Sequence, residues 1–149
     1  MNVYPAVEAD GYRLDRTALW AGTIATALVA GLLAMLEDMA AQGLLKVDLI
    51  APRGGPAFAT TTAYQLTLSA IVATALASVL VQVLMYVSPR PLLFFGLIGS
   101  TATGVVSLWP FTTAAVAASQ FATAAAHLSL GMAIWVLTAT IARHARSVP

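Results

Sequence analysis

Long stretches without charge dominate this chain. No Asp, Glu, Lys or Arg occurs from Thr17 to Leu36, from Gly54 to Pro89 or from Pro91 to Ala142. A helix needs about 20 apolar residues to cross the roughly 30 Å hydrocarbon core of a bilayer, and the first two stretches each contain one such segment. The chain is 60% hydrophobic and 9% charged, against roughly 25% charged residues in an ordinary soluble domain. This composition predicts a protein whose solvent is lipid.

The third stretch is too long for one crossing, and Pro110 divides it. Proline costs a helix interior about 3 kcal/mol because it removes a hydrogen bond and clashes with the preceding turn. The spans are therefore predicted at about residues 17–40, 60–87, 91–109 and 114–142, with an outer loop at about 41–57. The fold class is an all-α membrane protein in one domain over residues 1–149, built as an antiparallel up-down-up-down bundle of four transmembrane helices.

The first span is predicted to remain in the protein, because it is longer than the apolar core of a signal peptide and lacks a convincing cleavage site. Four spans place both termini on one side. The basic residues of that side are Arg13, Arg16, Arg90, Arg143 and Arg146, and those of the other side are Lys46 and Arg53. The positive-inside bias predicts a multi-pass protein of the cytoplasmic (inner) membrane with both termini in the cytoplasm.

Small and polar residues follow the helical period on each predicted span. They indicate inward faces, where close backbone approach and hydrogen bonds hold helices together in lipid. The alternative is a polar cavity or path for an ion, a proton or a small solute along the bundle axis. The candidate intramembrane polar site consists of Thr26, Thr74, Ser100, Gln120, Thr123 and His127.

His127 is the most specific residue of this set. It lies near the middle of the fourth span, where an ionisable side chain is a functional hypothesis because charging it in lipid is costly. The structural alternative is a neutral histidine that is hydrogen-bonded to a threonine or serine hydroxyl and holds the helix in register. For one histidine without a carboxylate at its depth, the structural interpretation is favoured.

Two further candidate sites follow from the pattern. Glu37 and Asp38 are predicted at the outer end of the first helix, as an acidic surface site that binds a cation or a basic group, or as simply solvated carboxylates. Gly96, Ser100 and Gly104 form a small-xxx-small run and predict a helix-packing face. The apolar residues of the outer loop, among them Leu49 and Ile50, are predicted to cover the bundle or lie on the membrane surface rather than bind a ligand.

No catalytic, cofactor or metal motif is recognisable. The chain has no cysteine, which excludes disulfides and thiolate sites. The histidine at depth has no nearby His or Asp partner in the sequence for hydrolytic chemistry, and His144 is badly placed to share a haem with it. No cofactor and no enzymatic activity are therefore expected, and the formal net charge of +1 points to no nucleic-acid partner.

Two short strings resemble a known family. Val47-Asp48-Leu49-Ile50-Ala51-Pro52 in the outer loop and Ala126-His127-Leu128 in the last span lie among Ala- and Thr-rich spans of matching order. In these strings the chain resembles the small bacterial four-span membrane proteins known as domain of unknown function 6069. The resemblance covers about Thr17 to Ala142 and implies a four-span fold, but no activity.

Two classes of function remain. The favoured one is a non-enzymatic structural or accessory protein that associates with itself or with a larger membrane protein through small-residue helix faces. The alternative is a small transporter, proton path or lipid- or small-molecule-binding protein with a polar pocket around His127. The lipid bilayer is the one partner common to both.

Overall fold

Four helices form the protein. The computed structural model describes residues 13–52, 58–60 and 62–147, and its main elements are α1 (Arg16–Met39), α2 (Ala63–Val87), α3 (Pro91–Leu108) and α4 (Ala117–His144). With their continuing turns, all four are long and apolar enough to cross a membrane. This indicates a multi-pass membrane protein.

The helix starts follow from local sequence. Asp15 accepts a hydrogen bond from the amide of Ala18 at the start of α1, and Thr62 and Gln65 form a reciprocal capping box at the start of α2. Both arrangements satisfy amides that have no partner inside the helix. Pro91 occupies the first turn of α3, where its missing N–H costs nothing.

The first helix extends further than the sequence predicted. A π-helical turn, Ala40–Leu44, continues α1, so part of the segment assigned to the outer loop is helical. Lys46 adopts the left-handed conformation after the turn, with φ of 55°. The third helix continues through a 3₁₀ turn, Trp109–Thr112, which includes the predicted breakpoint Pro110.

Two short ribbons, which the sequence analysis did not predict, join distant segments. Strand β1 (Arg13–Leu14) pairs antiparallel with β4 (Arg146–Ser147), and the amide of Asp15 donates to the carbonyl of Ala145 at 3.0 Å. Strand β2 (Ile50–Pro52) pairs with β3 (Phe58–Thr60) in the loop between α1 and α2. Residues 53–57 of this loop lie outside the described residues.

The core consists of two clusters in which alanines pack with larger apolar side chains. One cluster joins the starts of α1 and α3 to the ends of α2 and α4, and it includes Leu19, Val81, Phe95 and Ala142. The other contains Ala30, Ala34, Ala70, Ala126 and Leu130, together with Leu49 from the loop. Helices α2 and α4 each contact all three of the other helices. Alanine permits this close approach, which is the main source of helix association in lipid.

Large apolar side chains cover the outside of the bundle. Exposed examples occur on every helix, among them Leu32, Leu76, Val105 and Phe121. Such a surface is far more apolar than a monomeric soluble protein normally presents to water. It fits contact with lipid or with another membrane protein.

Candidate functional site

His127 lies between α3 and α4 and contacts the backbone of α3. Its Nδ1 is 3.1 Å from the carbonyl oxygen of Val106. A carbonyl oxygen only accepts, so Nδ1 carries the hydrogen in this contact. The acceptor is thus a backbone carbonyl and not the threonine or serine hydroxyl expected from the sequence.

Pro110 explains why this carbonyl is available. In an α-helix, the carbonyl of Val106 would accept from the amide of residue 110, but proline has no N–H. The preceding amide, that of Trp109, donates to Val105. His127 therefore supplies the hydrogen bond that the proline removes, and it fastens the end of α3 to α4.

The other five residues of the predicted polar site have separate environments. Gln120 Nε2 donates to the carbonyl of Thr113 at 2.8 Å, and Thr123 Oγ1 accepts from the amide of Ile50 at 2.9 Å. Thr74 and Ser100 donate to carbonyls of their own helices, the former fully buried and the latter exposed. Within residues 13–52, 58–60 and 62–147, no hydrogen bond joins any two members of the predicted set.

A different polar cluster occupies the bundle interior. Thr23 and Thr26 of α1, Ser78 of α2 and Thr138 of α4 lie around one interior gap that is too narrow to hold a water molecule. Thr23 Oγ1 is 2.9 Å from Ser78 Oγ, which links α1 to α2. The hydroxyls of Thr26 and Thr138 are buried without a hydrogen-bond partner. Of the predicted set, Thr26 alone belongs to this cluster.

Glu37 and Asp38 lie in different surroundings although they are neighbours in the chain. Asp38 is buried and accepts from Gln42 Nε2 at 2.9 Å, one turn further along the helix. Glu37 is half-buried against α4, where its Oε1 is in contact with Ser129 Oγ. Because α1 continues to Leu44, Glu37 lies about two turns inside the helix end. The sequence analysis did not single out Ser129.

The glycines divide into two groups. A Cβ at Gly99 would lie 3.0 Å from the Trp135 Cβ, and one at Gly131 would lie 2.5 Å from Thr103 Cγ2. These glycines allow α3 and α4 to approach closely. Gly96 and Gly104 have no atom within 4 Å of an added Cβ, and Ser100 between them is exposed. In the part of the chain that the structure describes, the predicted packing face is therefore open.

Metal-binding geometry is not found in the described part of the chain. Within residues 13–52, 58–60 and 62–147, no three His, Asp or Glu side chains are grouped so that they hold a metal ion. The absence of cofactors and of enzymatic activity stays a prediction.

Comparison with known proteins does not extend this picture. No protein-family model, no curated protein and no solved structure matches the chain. The resemblance to domain of unknown function 6069 stays a prediction. Function therefore has to be argued from the geometry of the bundle itself.

Proposed function

We propose that this chain is a non-enzymatic structural or accessory protein of the cytoplasmic membrane, and that it associates with another membrane-protein chain through the open face of α3. The bundle crosses the membrane up-down-up-down, with both termini in the cytoplasm. The shared core clusters at each end of the helices and the pairing of β1 with β4 support this topology. The excess of basic residues on the side of the termini supports the orientation.

The observation that carries the proposal is the open face formed by Gly96, Ser100 and Gly104. Two glycines elsewhere in the bundle already serve helix packing. Gly99 lies against the side chain of Trp135, and Gly131 lies against that of Thr103. The face of α3 also has small residues at four-residue spacing, but among the described residues no atom lies within 4 Å of a Cβ added at Gly96 or Gly104. In lipid, such spacing allows two helix backbones to approach closely, and van der Waals packing then favours association.

The partner is either a second copy of this chain or a larger membrane protein. Self-association is measured by energy transfer between labelled copies of the full chain in lipid vesicles at several protein-to-lipid ratios. The label is attached at Asp48→Cys, an exposed position in a chain without native cysteine. A heterologous partner is sought by mild detergent extraction of the native protein, followed by mass spectrometry of everything that co-purifies.

Gly96→Leu and Gly104→Leu test the face directly. Neither site has a neighbour within 4 Å, so the bundle accepts the larger side chain while the partner helix is displaced. We expect association to weaken about tenfold, which corresponds to about 1.4 kcal/mol. Ala102→Leu is the matched control, because residue 102 is exposed on another side of the same helix. Equal association of the three variants, or a native chain without any protein partner, contradicts the proposal.

A second candidate function rests on the unpartnered hydroxyls of Thr26 and Thr138. Buried hydroxyls without partners cost about 1–3 kcal/mol each, and two that line one gap fit a path for protons through the bundle. Thr26→Val and Thr138→Val separate the alternatives. A proton path predicts loss of proton flux into vesicles that contain a pH-sensitive dye, with the bundle still folded. A packing role predicts unchanged flux and equal or higher thermal stability.

A further inference from the structure

Glu37 is an acidic residue inside an apolar segment. It lies seven residues before Leu44, where the first membrane-length helical segment ends. Its neighbour Ser129 is the thirteenth of the 28 residues of α4. The carboxyl group therefore meets α4 near the middle of that helix, far from both of its ends.

The hydroxyl of Ser129 has one hydrogen but more than one hydrogen-bond acceptor within reach. Ser129 Oγ contacts Glu37 Oε1, and it is also 2.9 Å from the carbonyl of Ala125 and 3.1 Å from that of Ala126. A serine hydroxyl has one hydrogen and two acceptor lone pairs. The second carboxyl oxygen, Glu37 Oε2, is buried and has no hydrogen-bond partner in the described part of the chain.

This arrangement satisfies Ser129 in two protonation states of the carboxyl. When Glu37 is a carboxylate, Ser129 donates its hydrogen to Oε1. When Glu37 carries a proton, Glu37 donates to Ser129 Oγ, and the serine hydrogen turns to the carbonyl of Ala125 or Ala126. Apart from the proton itself, the change from one state to the other needs only a rotation of the Ser129 hydroxyl. The proton comes from water and returns to water, so no other reactant takes part.

We propose that Glu37 and Ser129 form a proton-binding site at the contact between α1 and α4. In hydrocarbon an unpaired carboxylate is costly, and intramembrane carboxyls commonly belong to proton-relay pathways. Binding a proton removes the charge, and Ser129 supplies a hydrogen-bond acceptor for it. The inference rests on the proposed membrane insertion of the bundle, but it is independent of any association through α3.

The other titratable groups near this contact have their own surroundings. On α1, Asp38 accepts from Gln42. On α4, His127 is two residues from Ser129 and contacts α3 through the Val106 carbonyl. Helix α2, which also packs on both helices, contains no Asp, Glu, Lys, Arg or His, and its titratable residues are Tyr64 and Tyr86.

In the loop after α1, Lys46 and Asp48 are exposed. No lysine or arginine lies within either apolar helical segment at this depth. Since no basic side chain of the two helices lies at this depth, a proton is the simplest positive charge that can neutralise the Glu37 carboxylate.

Infrared spectroscopy of the full chain in lipid vesicles tests the site without requiring a reagent to reach it. Difference spectra between acidic and alkaline buffer are compared for the wild type, Glu37→Gln and the matched variant Asp38→Asn. We expect the carbonyl band of a protonated carboxylic acid that is lost in Glu37→Gln and kept in Asp38→Asn. In Ser129→Ala the band should shift, because its hydrogen bond to the serine is gone.

Two outcomes overturn the proposal: a wild-type spectrum without a band that depends on Glu37 at any pH, or a band that is unchanged in Ser129→Ala. If Glu37→Gln does not fold, the wild type alone is treated with a lipid-soluble carbodiimide, which reacts with protonated carboxyls, and is then mapped by mass spectrometry. Label on Glu37 that decreases at alkaline pH supports the site. The proposal is contradicted if Glu37 is not labelled, or if its labelling does not depend on pH.

Discussion

At the scale of single residues, the bundle compensates for a proline with a histidine from another helix. Pro110 ends α3 and leaves the carbonyl of Val106 without its helical donor. His127 donates to that carbonyl from α4. An ionisable side chain near the middle of an apolar helix therefore has a structural explanation. This favours a packing role for His127 over a pocket for a solute.

A double-mutant cycle tests this compensation. His127→Ala should lower the free energy of unfolding by about 1 kcal/mol, since it removes one hydrogen bond and leaves an acceptor unpaired. Pro110→Ala restores an amide at position 110 that can bond to Val106. In that background, His127→Ala should cost measurably less, and the difference is the coupling energy. Unfolding is followed by circular dichroism during denaturant titration in detergent micelles.

His144→Ala is the control for this cycle, because in the described part of the chain the hydrogen bond of His144 Nδ1 is to the Thr140 carbonyl of its own helix. It should show no coupling to Pro110→Ala. Additive effects of His127→Ala and Pro110→Ala would contradict the interpretation.

The sequence predicted some of these residues but not their partners. Pro110 was recognised as a helix breaker and His127 as the notable residue of α4. Their connection depends on which turn of α4 faces the end of α3, and helical periodicity does not specify that register. Ser129 was missed for a similar reason. It becomes informative only when α1 and α4 are packed and its hydroxyl meets Glu37.

At the scale of elements, helix α3 presents two faces of small residues with opposite roles. The face that contains Gly99 packs against α4, and the face that contains Gly96 is open. The sequence shows both as helical repeats of small residues. It does not distinguish them, because the choice depends on the side from which α4 approaches.

Alanine substitutions at two glycines distinguish the packed face of α3 from the open one. Gly131 of α4 lies against the packed face, and Gly96 lies on the open face. Gly131→Ala places a methyl group against Thr103, with Cγ2 at 2.5 Å, and should destabilise the bundle by about 1–3 kcal/mol through overpacking. Gly96→Ala meets no neighbour, and because it favours the helical backbone it should be neutral or stabilise by up to about 1 kcal/mol. Thermal unfolding in micelles measures both. Equal effects of the two substitutions would show that α3 and α4 are arranged differently.

The loop between α1 and α2 is a second element whose role depends on packing. Leu49 and Ile50 are buried in the bundle, whereas Leu44 and Leu45 are exposed. The amide of Ile50 donates to Thr123 Oγ1 on α4. The sequence predicted that the apolar residues of this loop cover the bundle or lie on the membrane surface, and the structure buries Leu49 and Ile50 in the bundle.

Thr123→Val should loosen this loop. Valine has nearly the shape of threonine but does not accept a hydrogen bond, so the buried amide of Ile50 loses its partner at a cost of about 1–3 kcal/mol. Hydrogen exchange measured by mass spectrometry should become faster in residues 45–52. Thr140→Val serves as the matched control, because the hydroxyl of Thr140 bonds within its own helix. Unchanged exchange in Thr123→Val would contradict a role for this bond in holding the loop.

At the scale of the whole molecule, several features are compatible with the proposed arrangement in a membrane. Apolar side chains cover the outside of all four helices, and alanines pack with larger apolar side chains in the core. The β1–β4 ribbon brings the two ends of the described chain together. In the proposed four-span topology, the α2–α3 turn lies on the side of the termini and the other two connections lie on the opposite side.

Cysteine accessibility tests this topology and its orientation. The chain has no native cysteine, so each introduced cysteine is the only reactive thiol. Pro89→Cys lies in the turn between α2 and α3, while Asp48→Cys and Thr112→Cys lie in the other two connections, and all three positions are exposed. Intact cells are treated with a maleimide that does not cross membranes. Asp48→Cys and Thr112→Cys should react, and Pro89→Cys should react only after the membrane is permeabilised.

This outcome follows from the distribution of charge. Five arginines accompany the termini and the α2–α3 turn, against one lysine and one arginine on the opposite side, and short loops rich in Lys and Arg remain in the cytoplasm. Labelling of Pro89→Cys alone would reverse the orientation but keep the four-span topology. Labelling of Asp48→Cys without Thr112→Cys would contradict the topology itself, because the proposed topology requires these two connections to share one side. The measurement thus separates the number of crossings from their direction.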